Sequence, residues 1–515
     1  MRHRPACRGK SGKQSVSAKR LAFVLILAGI LLRLSLLLWA EGTMVDDAYI
    51  SLRYADNLIQ GKGLVYNEHS KVLSTTTPLY TLWMAFLLVI TPRLDPGYAI
   101  GMANLAFFGL AAWGLWTLCA PHGRRVSLFV LAFFAVYLRF VDNSVTGMET
   151  PLFLLLMVLS LLLLGQNRVG WSLFAAALSM LVRPEGALWA LSHLAVAALR
   201  GVRPKARHFA PGSLVVAAWL IFSLYYYGSP IPHSLKAKSE WFVLWSPHGA
   251  LAGFVDIYTA LALMDLPHEF ARTPLVRLLQ MLLACGTAVA FFFGARQLLK
   301  KRSALLAFPL LFVLYVGFYL AGRGWVEFSW YGIPSGLAYI VTVVSGVAYL
   351  GGSLVKRALP PSWVVAVGVI LVAILAGSSI VVWQQTRLPY YVCLRSSYER
   401  AGALVDELAQ PQDRVFTTEA GMIGYRARRF VYDLGGVVSP EVLQLYRQRS
   451  LDVPLVEIWG KYMPEFIVVT PRHMRRTQAE GGLQWLDANY EMVGDFTGHQ
   501  VLRRRDLAGR QRLTG

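Results

Sequence analysis

A succession of apolar runs, long and nearly free of charge, governs what this chain can become. They fall near residues 21–40, 97–119, 126–141, 151–165, 171–183, 186–199, 209–227, 274–298, 303–321, 331–352 and 362–383. Hydrocarbon offers the backbone no hydrogen-bond partner, so runs of this kind cross a bilayer as helices. The chain of 515 residues is 56% hydrophobic and 15% charged, with mean hydropathy +0.48. That balance fits a polytopic membrane protein and excludes an ordinary soluble one.

A net charge of +21 would suit a nucleic-acid partner only if the cations clustered on a soluble domain, and here many sit between apolar runs. We expect no nucleic acid and read the cations as topology. The apolar stretch 78–91 reaches only about 21 Å as a helix, against about 30 Å of hydrocarbon, so we expect it not to cross. Alternate connections then hold Arg124 and Arg125; Arg168; Arg200, Arg203, Lys205 and Arg207; Arg296, Lys300, Lys301 and Arg302; and Lys356 and Arg357. With the seven in residues 1–20, one side carries twenty Lys or Arg and no acid. By the positive-inside rule that side is cytoplasmic, which gives about eleven spans, an internal N-terminus and an external C-terminus.

The expected organisation follows: a disordered basic tail over 1–20, a membrane domain over 21–383 and an extracytoplasmic domain over 384–515. The first run ends in Glu41 rather than a small-residue cleavage site, which reads as an uncleaved helix. After residue 384, β-like runs at 415–418, 466–469 and 499–504 alternate with helix-like stretches at 399–409, 439–448 and 482–489, predicting a small α/β domain. Cys7, Cys119, Cys285 and Cys393 are scattered, with neither a disulfide framework nor a zinc spacing.

The segments expected outside hold nearly all the polar chemistry. Asp46 and Asp47 open the stretch DDAYISLRYADNLIQGKGLVYN, residues 46–67, where the chain first leaves the membrane. Two roles fit them: capping of the following helix, or catalysis. Helical spacing puts Asp47, Ser51 and Tyr54 on one face, a pattern that capping does not require. Arg183 lies between two short apolar halves, where an arginine is costly unless it faces a polar cavity or an acid such as Glu185 or Glu149. Glu149 stands just before Pro151, as an acid at a helix start would. Glu327 sits among Trp325, Phe328, Trp330 and Tyr331, either as part of an interfacial aromatic belt or as a sugar-binding carboxylate. His233, Lys236 and Lys238 fall in an external loop and are either solvated or set to meet a phosphate.

These stretches, together with STTTPLYTLW at 74–83, GMETPLF at 147–153, RPEG at 183–186 and YGSPIPHSLKAK at 227–238, resemble the GT-C superfamily of membrane glycosyltransferases. Within it they are most similar to the branch containing the terminal arabinofuranosyltransferases. The resemblance extends from about residue 21 to 238 and more weakly to 413–442. It implies a polyprenyl-phosphate sugar as donor, arabinofuranose among the candidates, an external glycan or lipid acceptor, and a catalytic aspartate in the first external loop. We expect substrate-binding roles for Tyr49, Arg53 and Tyr54 in that loop, beside Glu149, Arg183, His233, Lys236, Lys238 and Glu327. Ser-Thr-Thr-Thr-Pro at 74–78 departs from the family's more usual Tyr-Thr-Asn-Pro, which bears on sugar identity.

Sugar transfer asks for a carboxylate to take the acceptor proton and cations where the lipid phosphate departs. Asp47 is the favoured base, with Asp46 orienting the acceptor or holding a divalent ion, for which no further ligands stand out. A transporter or flippase for a lipid-linked or anionic substrate is the competing class. It would need ionisable residues deep in several spans, and these spans are almost free of acids.

Overall fold

The computed structural model describes residues 9–245, 274–321, 329–354, 383–449 and 453–507, with the single positions 377, 380 and 381. Helix α1 (Gly9–Trp39) starts inside the stretch expected as a disordered tail, since no proline interrupts residues 9–20 and the turns simply continue. There follow α2 (Asp46–Ile59), α3 (Pro78–Ile90), α4 (Pro96–Cys119), α5 (Arg124–Val136), α6 (Leu138–Val145), α7 (Thr150–Gly165), α8 (Val169–Val182), α9 (Gly186–Leu199), α10 (Ala206–Tyr227) and α11 (His233–Trp245). Beyond residue 273 come α12 (Pro274–Lys300), α13 (Ala307–Ala321) and α14 (Ile333–Leu354).

Among the described residues, five helices are long and apolar enough to cross a membrane, and α5 with α6, bent by 52°, makes a sixth. At 14 to 16 residues, α7, α8 and α9 fall short of the roughly 20 that a full crossing takes. The architecture is thus helical and membrane-type, with at most six full-length spans among the described residues. The run expected at 362–383 lies largely outside the described residues. Helix α3, with 13 residues, is as short as its sequence suggests.

Two interruptions shape the end of the bundle nearest the C-terminal domain. At the α5–α6 bend the freed carbonyls of Phe134 and Ala135 accept from Arg33 at 3.0 and 2.7 Å, and the same guanidinium reaches Ser144 Oγ at 3.0 Å and lies 3.5 Å from the Phe108 ring centre. A fully buried arginine is tolerable here because the broken helix supplies its acceptors. Between α8 and α9, Pro184 ends one helix and Gly186 starts the next. A Cβ on Gly186 would stand 2.3 Å from the Ser179 carbonyl oxygen, so only glycine permits so tight a reversal. The reversal leaves Arg183 and Glu185 at the helix ends.

The C-terminal region is an α/β domain, as expected. Strands β1 (Arg414–Thr417), β2 (Phe430–Asp433), β3 (Phe466–Val469), β4 (Tyr490–Phe496) and β5 (His499–Arg504) form one sheet in the order β2-β1-β3-β5-β4. The first three are parallel and the β4–β5 hairpin is antiparallel. Central β3 is buried along its length, which is why FIVV stands out in the sequence. Strand β4 escapes notice because YEMVGDF is half polar.

This domain sits on the loop that follows α1. Asp46 accepts from the amides of Gly421 at 3.0 Å and Met422 at 2.7 Å, which open helix Met422–Ala427. A Cβ on Gly421 would be 1.9 Å from the Asp46 carbonyl, so the approach requires glycine. Arg53, stacked 4.3 Å over Tyr66, donates to the Gly424 carbonyl and, at 2.5 Å, to that of Arg429. Asn67 exchanges two hydrogen bonds with the Val431 backbone at 2.8 and 2.9 Å, completing the edge of β2 as a strand neighbour would.

Candidate active site

A cavity of about 410 Å³ opens between the outer helix ends, floored by apolar side chains such as Leu188, Leu235 and Phe318. From α2 it receives Asp47 and Ser51, four residues apart and on one face. Asp47 Oδ2 lies 3.2 Å from Lys238 Nζ of α11, and Lys238 also reaches the Tyr331 hydroxyl at 3.4 Å. Burial opposes the charge on this lysine, but Asp47 and Tyr331 more than offset it, holding its pKa above the usual range.

Beside them the segment before α3 lays down hydroxyls. Ser51 Oγ lies 3.3 Å from Thr75 Oγ1 and 3.4 Å from Thr77 Oγ1, and Thr75 is 3.0 Å from Thr81. Tyr54 supports this strip from behind: its hydroxyl donates to the Val72 carbonyl and accepts the Ser74 amide. Ser51 therefore shares the cavity with Asp47, whereas Tyr54, one turn further, is fully buried.

The opposite wall is a buried ionic triad. Arg183 donates to Glu149 at 2.8 Å and to Glu185 at 3.0 Å, and Tyr319 donates to Glu185 at 3.0 Å. Glu149 occupies the N-cap position of α7 but makes no capping bond, since its carboxylate goes to Arg183. Arg183 meets both of the acids expected as its partners at once, so the cluster holds two carboxylates to one guanidinium.

Of the residues singled out in the sequence, the fold brings Asp47, Glu149, Arg183 and Lys238 to one cavity. Asp46, Tyr49, Arg53, Tyr54, His233 and Lys236 are not among its lining residues. Asp46 does cap a helix, though not its own: α2 has no side-chain cap, and the carboxylate serves helix Met422–Ala427. Burial, with the nearby carboxylates of Glu419 and Asp47, pushes its pKa up to about 7. The two aspartates thus contact different partners and do not form one ligand set. Tyr49 packs on Tyr425, His233 bonds to the Gly436 carbonyl at 2.9 Å, and Lys236 is exposed. Glu327 lies outside the described residues. Of the other wall residues, Thr75 to Thr77 lie in the segment expected to bear on sugar identity and Tyr331 in the expected aromatic belt, whereas sequence reasoning missed Tyr319.

Residues 383–513 match a family model described as a domain of unknown function, DUF8728. The chain is 26% identical over 263 residues to a terminal beta-(1->2)-arabinofuranosyltransferase of Corynebacterium glutamicum, covering 44% of this chain and 38% of that protein. It is 30% identical over 233 residues to the protein of the same description from Mycobacterium tuberculosis, covering 40% of this chain and 37% of that one. The alignments thus span less than two fifths of these relatives. Among solved structures, ArnT from Cupriavidus metallidurans bound to undecaprenyl phosphate superposes with a TM-score of 0.57 at 11% identity, covering 97% of this chain and 99% of that one. AglB from Archaeoglobus fulgidus, in complex with an inhibitory peptide and a dolichol-phosphate, gives 0.54 at 13% identity over 94% and 74%. The chain has the GT-C fold that these proteins share.

Proposed function

We propose that this protein is a membrane glycosyltransferase that moves a sugar from a polyprenyl-phosphate donor to a glycan or lipid acceptor on the extracytoplasmic side. The observation that carries this reading is the Asp47–Lys238 pair at 3.2 Å inside a cavity lined by hydroxyls on one wall and apolar side chains on its floor. In this reading Asp47 takes the proton of the acceptor hydroxyl as its oxygen attacks the anomeric carbon. The bond from that carbon to the phosphate oxygen breaks, and Lys238 meets the charge left on the polyprenyl phosphate. Attack opposite the leaving group inverts the anomeric centre.

The pairing itself orders the reaction. While Lys238 holds Asp47, the carboxylate is a poor base; the monoanionic phosphodiester of the donor competes for the lysine and releases it. In the triad the Arg183 guanidinium is already taken by two carboxylates, Glu149 and Glu185, so in this account it fixes the cavity wall rather than neutralising the donor. Ser51, Thr75 and Thr77 offer neutral donors and acceptors of the kind that sugar hydroxyls pair with. The descriptions of the two aligned relatives make arabinofuranose the first sugar to test. Purified protein given a polyprenyl-phosphate sugar and an envelope-glycan acceptor is expected to release polyprenyl phosphate, read by mass spectrometry. Binding of the intact donor without release, across pentose and hexose donors, would contradict the reading.

A further inference from the structure

A second cavity, of about 350 Å³, lies far from the first, with His122, Gln297, Lys301, Ser345 and Tyr349 as its polar lining. Its position follows from α14. Tyr331, just before that helix, is in the wall of the first cavity, and Tyr349 is eighteen residues further on, a rise of about 27 Å. The two cavities therefore sit at opposite ends of the helical bundle, separated by about the thickness of a hydrocarbon core.

The charge around this second cavity has one sign. The segments that build it, 120–127, 294–303 and 344–351, contain Arg124, Arg125, Arg296, Lys300, Lys301 and Arg302 and no acid. Among the described residues Lys301 makes no ion pair, in contrast to Lys238 and Arg183 at the other end. His122 is held in place: Ser303 Oγ accepts the Leu305 amide at 3.0 Å and lies 2.7 Å from His122 Nε2. Leu298 and Val126 form an apolar base. Leu299 and Val347, which adjoin the lining residues, are more than half exposed and apolar, as positions facing acyl chains are.

We infer that this cavity binds the phosphate of an anionic phospholipid headgroup at the membrane face opposite the candidate active site. A pocket between helices, with Lys301 and the Tyr349 hydroxyl in its lining, an imidazole beside them and an apolar flank, matches the chemistry of such a headgroup. A free phosphate would use the same donors and would not need the exposed apolar flank. The site is independent of the proposed transfer reaction and does not rest on it.

The test uses the full-length protein in lipid nanodiscs and native mass spectrometry of bound lipid. Phosphatidylglycerol is expected to remain bound in preference to phosphatidylcholine. Lys301→Gln is expected to weaken that preference about fivefold, the usual size of one cationic contact near an anionic membrane surface. Ser345→Leu fills the cavity and is expected to abolish the preference, and it covers the case in which the lysine variant fails to fold. Neither change is expected to alter release of polyprenyl phosphate. Equal retention of the two lipids, or both variants behaving as the parent, would overturn the inference. So would displacement of the lipid by millimolar inorganic phosphate with no headgroup preference remaining.

Discussion

Asp46 and Asp47 are neighbours with opposite tasks, and the difference lies in what each meets. Asp46 turns to two amides contributed from 375 positions further along the chain, which no local spacing announces. Asp47 turns to the cavity with Ser51, as the four-residue spacing suggests. The same distance in sequence explains why Arg53, Tyr49 and His233 look like site residues when read locally: each is polar, external and near the motif, and each is spent on the C-terminal domain. Docking raises the pKa of Asp46 from 3.8 to about 7. A carboxyl raised in this way favours the docked state below its ordinary pKa, and that contribution is lost as pH climbs from about 4 through about 7. The protection factors of helix Met422–Ala427, the intrinsic exchange rate over the observed rate at each pH, are therefore expected to fall between pH 5 and pH 8, and Asp46→Asn is expected to flatten that fall. Protection factors that do not change with pH would remove this linkage. Lys238→Met is expected to cost about 10- to 100-fold in transfer at low donor concentration, the range for a hydrogen bond to a charged group, with the greater part in KM for the donor. An unchanged KM would take the phosphate role from this lysine.

At the level of elements, the two helix breaks do the positioning. The α8–α9 reversal was legible from Pro184 and from an arginine that no lipid-facing position would accept, and α3 was legible from its length. The 52° bend between α5 and α6 was not, because no proline or glycine marks it; its determinant is Arg33 on a helix a hundred residues earlier. The triad gives the α8–α9 break a measurable energy. Arg183→Met leaves Glu149 and Glu185 buried without their cation and is expected to destabilise the fold by about 3–5 kcal/mol, read as a drop in thermal unfolding temperature. Arg183→Lys keeps the charge but loses the fork that holds both acids, so an intermediate loss is expected. If the methionine variant melts with the parent, the triad is not what holds this wall.

For the whole molecule, charge is sorted by end: a polar, acid-containing cavity at one, an acid-free basic cavity at the other. That sorting was readable from the connections, whereas the docking of the C-terminal domain over the first loop was not, since it is made by scattered single contacts. A label at residue 205 and one near residue 487 in the C-terminal domain are expected to be reachable from opposite faces of intact cells, and access to both from one face would undo the orientation. The central claim is that one carboxylate in the outer cavity activates the acceptor. Asn keeps the shape of Asp47 without its ability to take a proton, so the direct measurement is the rate of sugar transfer by Asp47→Asn protein, inserted and folded as the parent, with saturating polyprenyl-phosphate sugar. The account predicts a fall of about 10²-fold or more. Transfer at the parental rate would contradict it.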